Sequence, residues 1–93
     1  MFLDQAAIDY ISPVYQMLNE NDSFSIFCNA TGNPLPTIKW LKMGKVVHVG
    51  ERMTVPRAQL KNNGTYTCLA SNGIGVSPTA FVEVIVNGEF SMF

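Results

Sequence analysis

Gly64-Thr65-Tyr66-Thr67-Cys68-Leu69-Ala70 is the stretch on which the fold turns. Tyr66, Cys68 and Ala70 alternate with Thr65, Thr67 and Leu69, so an extended backbone sends the first three to one face and the others to the opposite face. Asn62-Asn63-Gly64 precedes the run and Asn72-Gly73 follows it, both turn-forming clusters. The reading is a short strand with a cysteine on its inward side.

Working outward, the same period recurs. Phe24, Ile26, Cys28 and Ala30 share one face, with Ser25, Phe27 and Asn29 on the other. Ile38 and Trp40 alternate with Lys39 and Leu41, and Val82, Val84 and Val86 with Phe81, Glu83 and Ile85. Turn clusters at Asn19-Glu20-Asn21-Asp22, Gly32-Asn33-Pro34, Met43-Gly44-Lys45 and around Gly75 separate these runs. Short β-branched and aromatic runs between frequent turns predict an all-β sandwich or barrel, and helical periodicity is absent.

Cys28 and Cys68 fall on inward stripes together with the only tryptophan, Trp40, which places a disulfide packed against an indole between two sheets. Their separation of 40 positions rules out a CxxC redox motif. Closing a loop of that length is worth roughly 4 kcal/mol by chain entropy. The alternative at this point is two reduced, buried thiols acting as small hydrophobes.

Bulk properties narrow the function classes. A chain of 93 residues has room for one small domain. A net charge of −1 leaves no broad basic surface for nucleic acid, and no apolar stretch of about 20 residues offers a membrane span. No direct membrane insertion by this segment is expected.

Gly32-Asn33-Pro34-Leu35-Pro36-Thr37-Ile38-Lys39-Trp40 resembles the GxPxPxIxW of immunoglobulin domains of the intermediate set. Asn62–Cys68 resembles the DxGxYxC of the E-to-F corner, Ala70–Gly75 the AxNxxG of the next turn, and Met53-Thr54-Val55 the LxI of strand E. The resemblance covers roughly residues 11–86. Residues 1–10 are then read as an N-terminal linker or extension and 87–93 as a C-terminal linker. It implies an immunoglobulin-like two-sheet Greek-key sandwich, as in cell-adhesion molecules and receptor ectodomains. Tyr66 is expected to form the tyrosine corner, and Gly64 and Gly75 to occupy turns that favour positive φ.

Two departures stand out. Asn62 replaces the usual aspartate of the corner, and Met43-Gly44 replaces the usual D/N-G turn. The segment between Trp40 and Met53 is also short for the family, so strand D is expected to be shortened or missing.

Enzymatic inventories come up empty. His48 is the only histidine and is expected in a loop, with no carboxylate pair or nucleophile arranged around it. No catalytic, metal or cofactor site is expected. Three N-x-S/T sequons start at Asn21, Asn29 and Asn63, where chance gives about one, which favours the secretory pathway. Asn63 lies in a tight corner and is the one expected to stay bare. No sequon falls on the outward side of the runs that carry Trp40, Cys68 and Val84, which collects Leu41, Leu69, Phe81 and Ile85, a candidate interface with polar surroundings. Lys39, Lys42 and Lys45 near the next hairpin offer a contact for sulfated glycans, but a solvated face is the favoured reading.

The resemblance implies a non-catalytic, extracellular interaction module of a cell-surface adhesion molecule or receptor. It would engage a protein partner, homophilic or heterophilic, beside neighbouring immunoglobulin or fibronectin-type domains in its parent chain. A sarcomeric, titin-like intracellular module and an ectodomain segment of a receptor tyrosine kinase are the rival readings.

Overall fold

The inward stripe Phe24-Ile26-Cys28-Ala30 is buried along its whole length and forms the spine of one of two packed sheets. The computed structural model describes residues 2–88. Eight strands run in chain order: β1 (Asp4–Ser12), β2 (Tyr15–Asn19), β3 (Phe24–Asn33), β4 (Thr37–Lys42), β5 (Lys45–Val49), β6 (Arg52–Val55), β7 (Gly64–Ser71) and β8 (Thr79–Asn87). One sheet has the order β1-β3-β6 and the other β2-β8-β7-β4-β5.

All four stripes expected to face inward do so: Ile38 and Trp40, Tyr66, Cys68 and Ala70, and Val82, Val84 and Val86 are buried with the β3 spine. Cys28 and Cys68 are joined across the sheets with their Cα atoms 6.5 Å apart. Trp40 sits opposite Cys68 in the β4–β7 register, so the indole and the bridge share the inward face.

The expected N-terminal linker is corrected over residues 4–10, which belong to β1 and pair antiparallel with β3. Register shifts between Asp4 and Ala7 and between Ile8 and Tyr10 break the period of two that makes a strand legible, although Ala6 is buried. Pro13 cannot donate to a ladder, and β1 ends just before it. The chain then crosses to the other sheet, where β2 runs parallel to β8. Asn87, placed in the expected C-terminal linker, is the last residue of β8, and 89–93 lie outside the described residues.

Strand D is missing, as expected. Only Gly50-Glu51 lies between β5 and β6, and β6 pairs with β3 alone. The Glu51 carbonyl joins the two layers there, accepting from the Cys28 backbone N–H at 3.0 Å and from Trp40 Nε1 at 3.2 Å. His48 is not in a loop: it belongs to β5, opposite Trp40.

Candidate functional site

The tyrosine corner forms as expected. Tyr66 is buried on β7, and its Oη donates to the Asn62 carbonyl at 2.8 Å. Burial pushes the phenol pKa above its usual value. Gly64, at φ +139°, leaves room where a Cβ would stand 2.9 Å from Lys42 Cε; at Gly75, φ +65°, it would stand 2.3 Å from Gln5 Oε1. These residues hold the scaffold.

Strand pairing shows which side chains share the outward face of the five-stranded sheet, because directly opposed residues lie on the same side. Phe81 is opposite Thr67, Thr67 opposite Leu41, and Leu41 opposite Val46, a row crossing four strands. A second row runs Thr79, Leu69, Lys39, Val49. Towards the other edge, Met17 stands opposite Ile85 and Tyr15 opposite Glu83. Leu41, Leu69, Phe81 and Ile85 therefore share one face.

Four further apolar residues extend that patch. Tyr15 (56% exposed), Met17 (59%), Val46 (51%) and Val49 (61%) stand with Phe81 (59%) on the solvent side. The alternation in Tyr15–Leu18 is a strand signal, but nothing local says that β2 has left the sheet of β1 and joined that of β8. Lys45-Val46-Val47-His48-Val49 is β-branched, yet an irregularity at Trp40/Leu41 obscures which valines face out. Polar groups punctuate the patch: Thr65 Oγ1 donates to Glu83 Oε1 at 2.8 Å beside Tyr15, and Lys39 separates Leu69 from Val49. The three lysines form no single face, since Lys42 pairs with inward Tyr66 and lies over its ring at 5.4 Å, while Lys39 faces out.

The outward face of the three-stranded sheet differs. There Arg52 covers the Phe27 ring at 5.1 Å, Tyr10 packs on Phe27 with centroids 6.0 Å apart, and Ser25 and Thr54 hydroxyls bond at 2.9 Å. Asn29 lies beside Tyr10 on that side. Its apolar groups already have partners of their own.

Two packed sheets, a central disulfide beside the indole, and a tyrosine corner coincide with a match of residues 8–72 to a family model described as an immunoglobulin domain. The chain belongs to the immunoglobulin domain family. This immunoglobulin domain is 34% identical over 82 residues to hemicentin-1 of Homo sapiens, a match covering 78% of the chain and 1% of that protein. With cell adhesion molecule 4 of Xenopus laevis it shares 32% over 81 residues, covering 81% of the chain and 21% of the relative. The chain thus spans about a fifth or less of the length of these relatives.

Among solved structures, a complex of Dpr2 Ig1-Ig2 with DIP-Theta Ig1-Ig3 superposes with a TM-score of 0.82 at 29% identity, over 90% of this chain and 32% of that one. A titin M10–obscurin-like 1 Ig complex gives 0.84 at 18% identity, over 95% and 99%. At that identity the second likeness is one of fold alone. Among the described residues no helix is long and apolar enough to cross a membrane.

Proposed function

We propose that this immunoglobulin domain is a non-catalytic protein–protein interaction module of an extracellular, cell-surface adhesion molecule or receptor. The contact surface is the outward face of β2-β8-β7-β4-β5. The observation that carries the reading is the register-aligned apolar patch from Tyr15 and Met17 through Ile85, Phe81, Leu69 and Leu41 to Val46 and Val49. An apolar patch interrupted by Glu83 and Lys39 has the composition of a protein interface, with polar groups to set register. The three sequon asparagines lie elsewhere, on the β2–β3 turn, β3 and the β6–β7 corner, so glycans there would leave this face clear.

Three observations support the extracellular compartment: the Cys28–Cys68 bridge, stable in oxidising surroundings; the three N-x-S/T sequons; and the similarity to a cell adhesion molecule. The partner is a protein, a second copy or a different ectodomain, presented beside neighbouring domains of the parent chain.

The test is a binding screen of the clustered domain against cell-surface ectodomains, itself included, with Phe81→Arg on the proposed face and Tyr10→Arg on the opposite sheet. Loss of binding with Phe81→Arg alone supports the reading. Loss with Tyr10→Arg alone refutes it.

A further inference from the structure

The missing strand leaves more than an open edge. Between β5 and β6 lies a cleft of about 370 Å³ whose lining includes Lys42, His48, Thr54, Lys61, Asn62 and Tyr66. Its floor is where the sheets part. One wall is the free edge of β6, the other the free edge of β5.

The β6 edge presents backbone groups in a definite pattern. Cys28 N–H donates to the Glu51 carbonyl, and the register continues Ile26–Met53 and Phe24–Val55. In an antiparallel ladder alternate residues bond to the partner, so 51, 53 and 55 turn their N–H and C=O groups towards β3 while Arg52 and Thr54 turn theirs away. Pro56 ends the usable edge. An added strand of about four residues fits.

The side chains specify charge. Lys42, Lys61 and His48 line the cleft, and among the described residues no carboxylate does. Asn62 stands in it where the family's corner motif has an aspartate. Lys42 Nζ, held by the Lys61 carbonyl above the Tyr66 ring, is partly desolvated, which lowers its pKa. A carboxylate brought alongside would offset that desolvation.

We infer that this cleft is a second, separate binding site, which takes an extended acidic peptide segment of a partner protein as an added strand on β6, its carboxylates paired with Lys42 and Lys61. Arg52 and Thr54 supply main-chain hydrogen bonds and the two lysines the selectivity, as in other cases of strand addition. A sulfated glycan is the weaker candidate, because it has no use for a row of free peptide groups. A second copy brings the same cations and repels.

The test is an amide NMR titration of the domain with a blocked hexapeptide of alternating glutamate and valine. Controls are the lysine–valine counterpart, the glutamate peptide N-methylated on the amides of one edge, then of the other, and a heparin tetrasaccharide. The expected result is shift changes at 42, 47–48, 52–55 and 61 with the glutamate peptide alone, lost on N-methylation of one of the two edges. Lys42→Gln and Lys61→Gln are each expected to weaken binding by about fivefold. Four results overturn the proposal: no shifts at millimolar peptide; equal binding of all peptides; tighter heparin binding at the same residues; or shifts at 52–55 on simple concentration of the domain, which would make the occupant a second copy. Because no probe touches the Phe81 face, failure here is distinguishable from failure of the adhesion reading.

Discussion

Asn63 and Val86 exchange two hydrogen bonds across the bottom of the sandwich: Asn63 Nδ2 donates to the Val86 carbonyl at 3.1 Å, and its Oδ1 accepts the Val86 N–H at 2.6 Å. The same Nδ2 also donates to the Leu60 carbonyl at 3.0 Å. The carboxamide thus ties the corner before β7 to the end of β8. A glycan on Nδ2 would leave it one N–H for these two acceptors, so at least one of the bonds would be lost.

In protein made through a eukaryotic secretory pathway, glycan is therefore expected on Asn21 or Asn29 and none on Asn63, as read by peptide-level glycosidase mapping. Asn63→Ala leaves two half-buried backbone groups of Val86 unpaired and is expected to cost about 2 kcal/mol in urea denaturation. Occupied Asn63 with unchanged stability would remove the structural role assigned to it.

The bridge between Cys28 and Cys68 closes a loop of sequence separation 40. Replacing both cysteines by alanine is expected to lower stability by about 4 kcal/mol. For a domain of this size that is a large share of the total. Intact mass with and without reduction establishes the bond, and chemical denaturation the energy; two freely alkylated thiols in the unreduced, denatured protein would contradict it.

Tyr66 makes stability depend on alkaline pH. Its folded pKa is raised by burial, the hydrogen bond with Asn62 opposing. Stability contributed by the neutral phenol is therefore fully present below the unfolded value near 10 and is lost as pH rises through the folded value. Tyr66→Phe is expected to cost about 1 kcal/mol at neutral pH and to flatten the decline in denaturation midpoint above pH 10.

Met43 sits at φ 52° and Gly44 at φ 78° in the two-residue turn between β4 and β5, the backbone of a type I′ hairpin, in which asparagine-glycine is preferred. Met43 is 91% exposed, so its side chain returns little for the strained conformation. Met43→Asn is expected to raise stability by about 1 kcal/mol, measured by thermal or urea unfolding. A destabilised variant would show that the methionine makes a contact of its own.

Most of the sandwich was legible because it rests on uninterrupted alternation: Phe24–Ala30, Tyr66–Ala70 and Val82–Val86 each announce their buried face, and the short Trp40–Met53 segment announces the missing strand. Residues 4–10 were not legible, because two register shifts in β1 scramble the period and its pairing is with distant β3. The candidate interface was half legible. Leu41, Leu69, Phe81 and Ile85 lie on strands whose inward partners identify them, whereas Tyr15 and Met17 join the face only through parallel pairing of β2 with β8, which no local pattern encodes. His48 was misplaced for a related reason: one histidine among valines carries no turn signal, and its position opposite Trp40 is set by pairing.

Whether the outward face of β2-β8-β7-β4-β5 is the binding surface is decided by the equilibrium affinity of the domain for whichever ectodomain the screen recovers, measured for wild type, Phe81→Arg, Leu41→Glu and Tyr10→Arg. Unchanged unfolding midpoints confirm that each variant is folded. A loss of about tenfold or more is expected for Phe81→Arg and Leu41→Glu, as for central apolar interface positions, and no more than about twofold for Tyr10→Arg. Wild-type affinity in the first two, or a large loss confined to Tyr10→Arg, would contradict it.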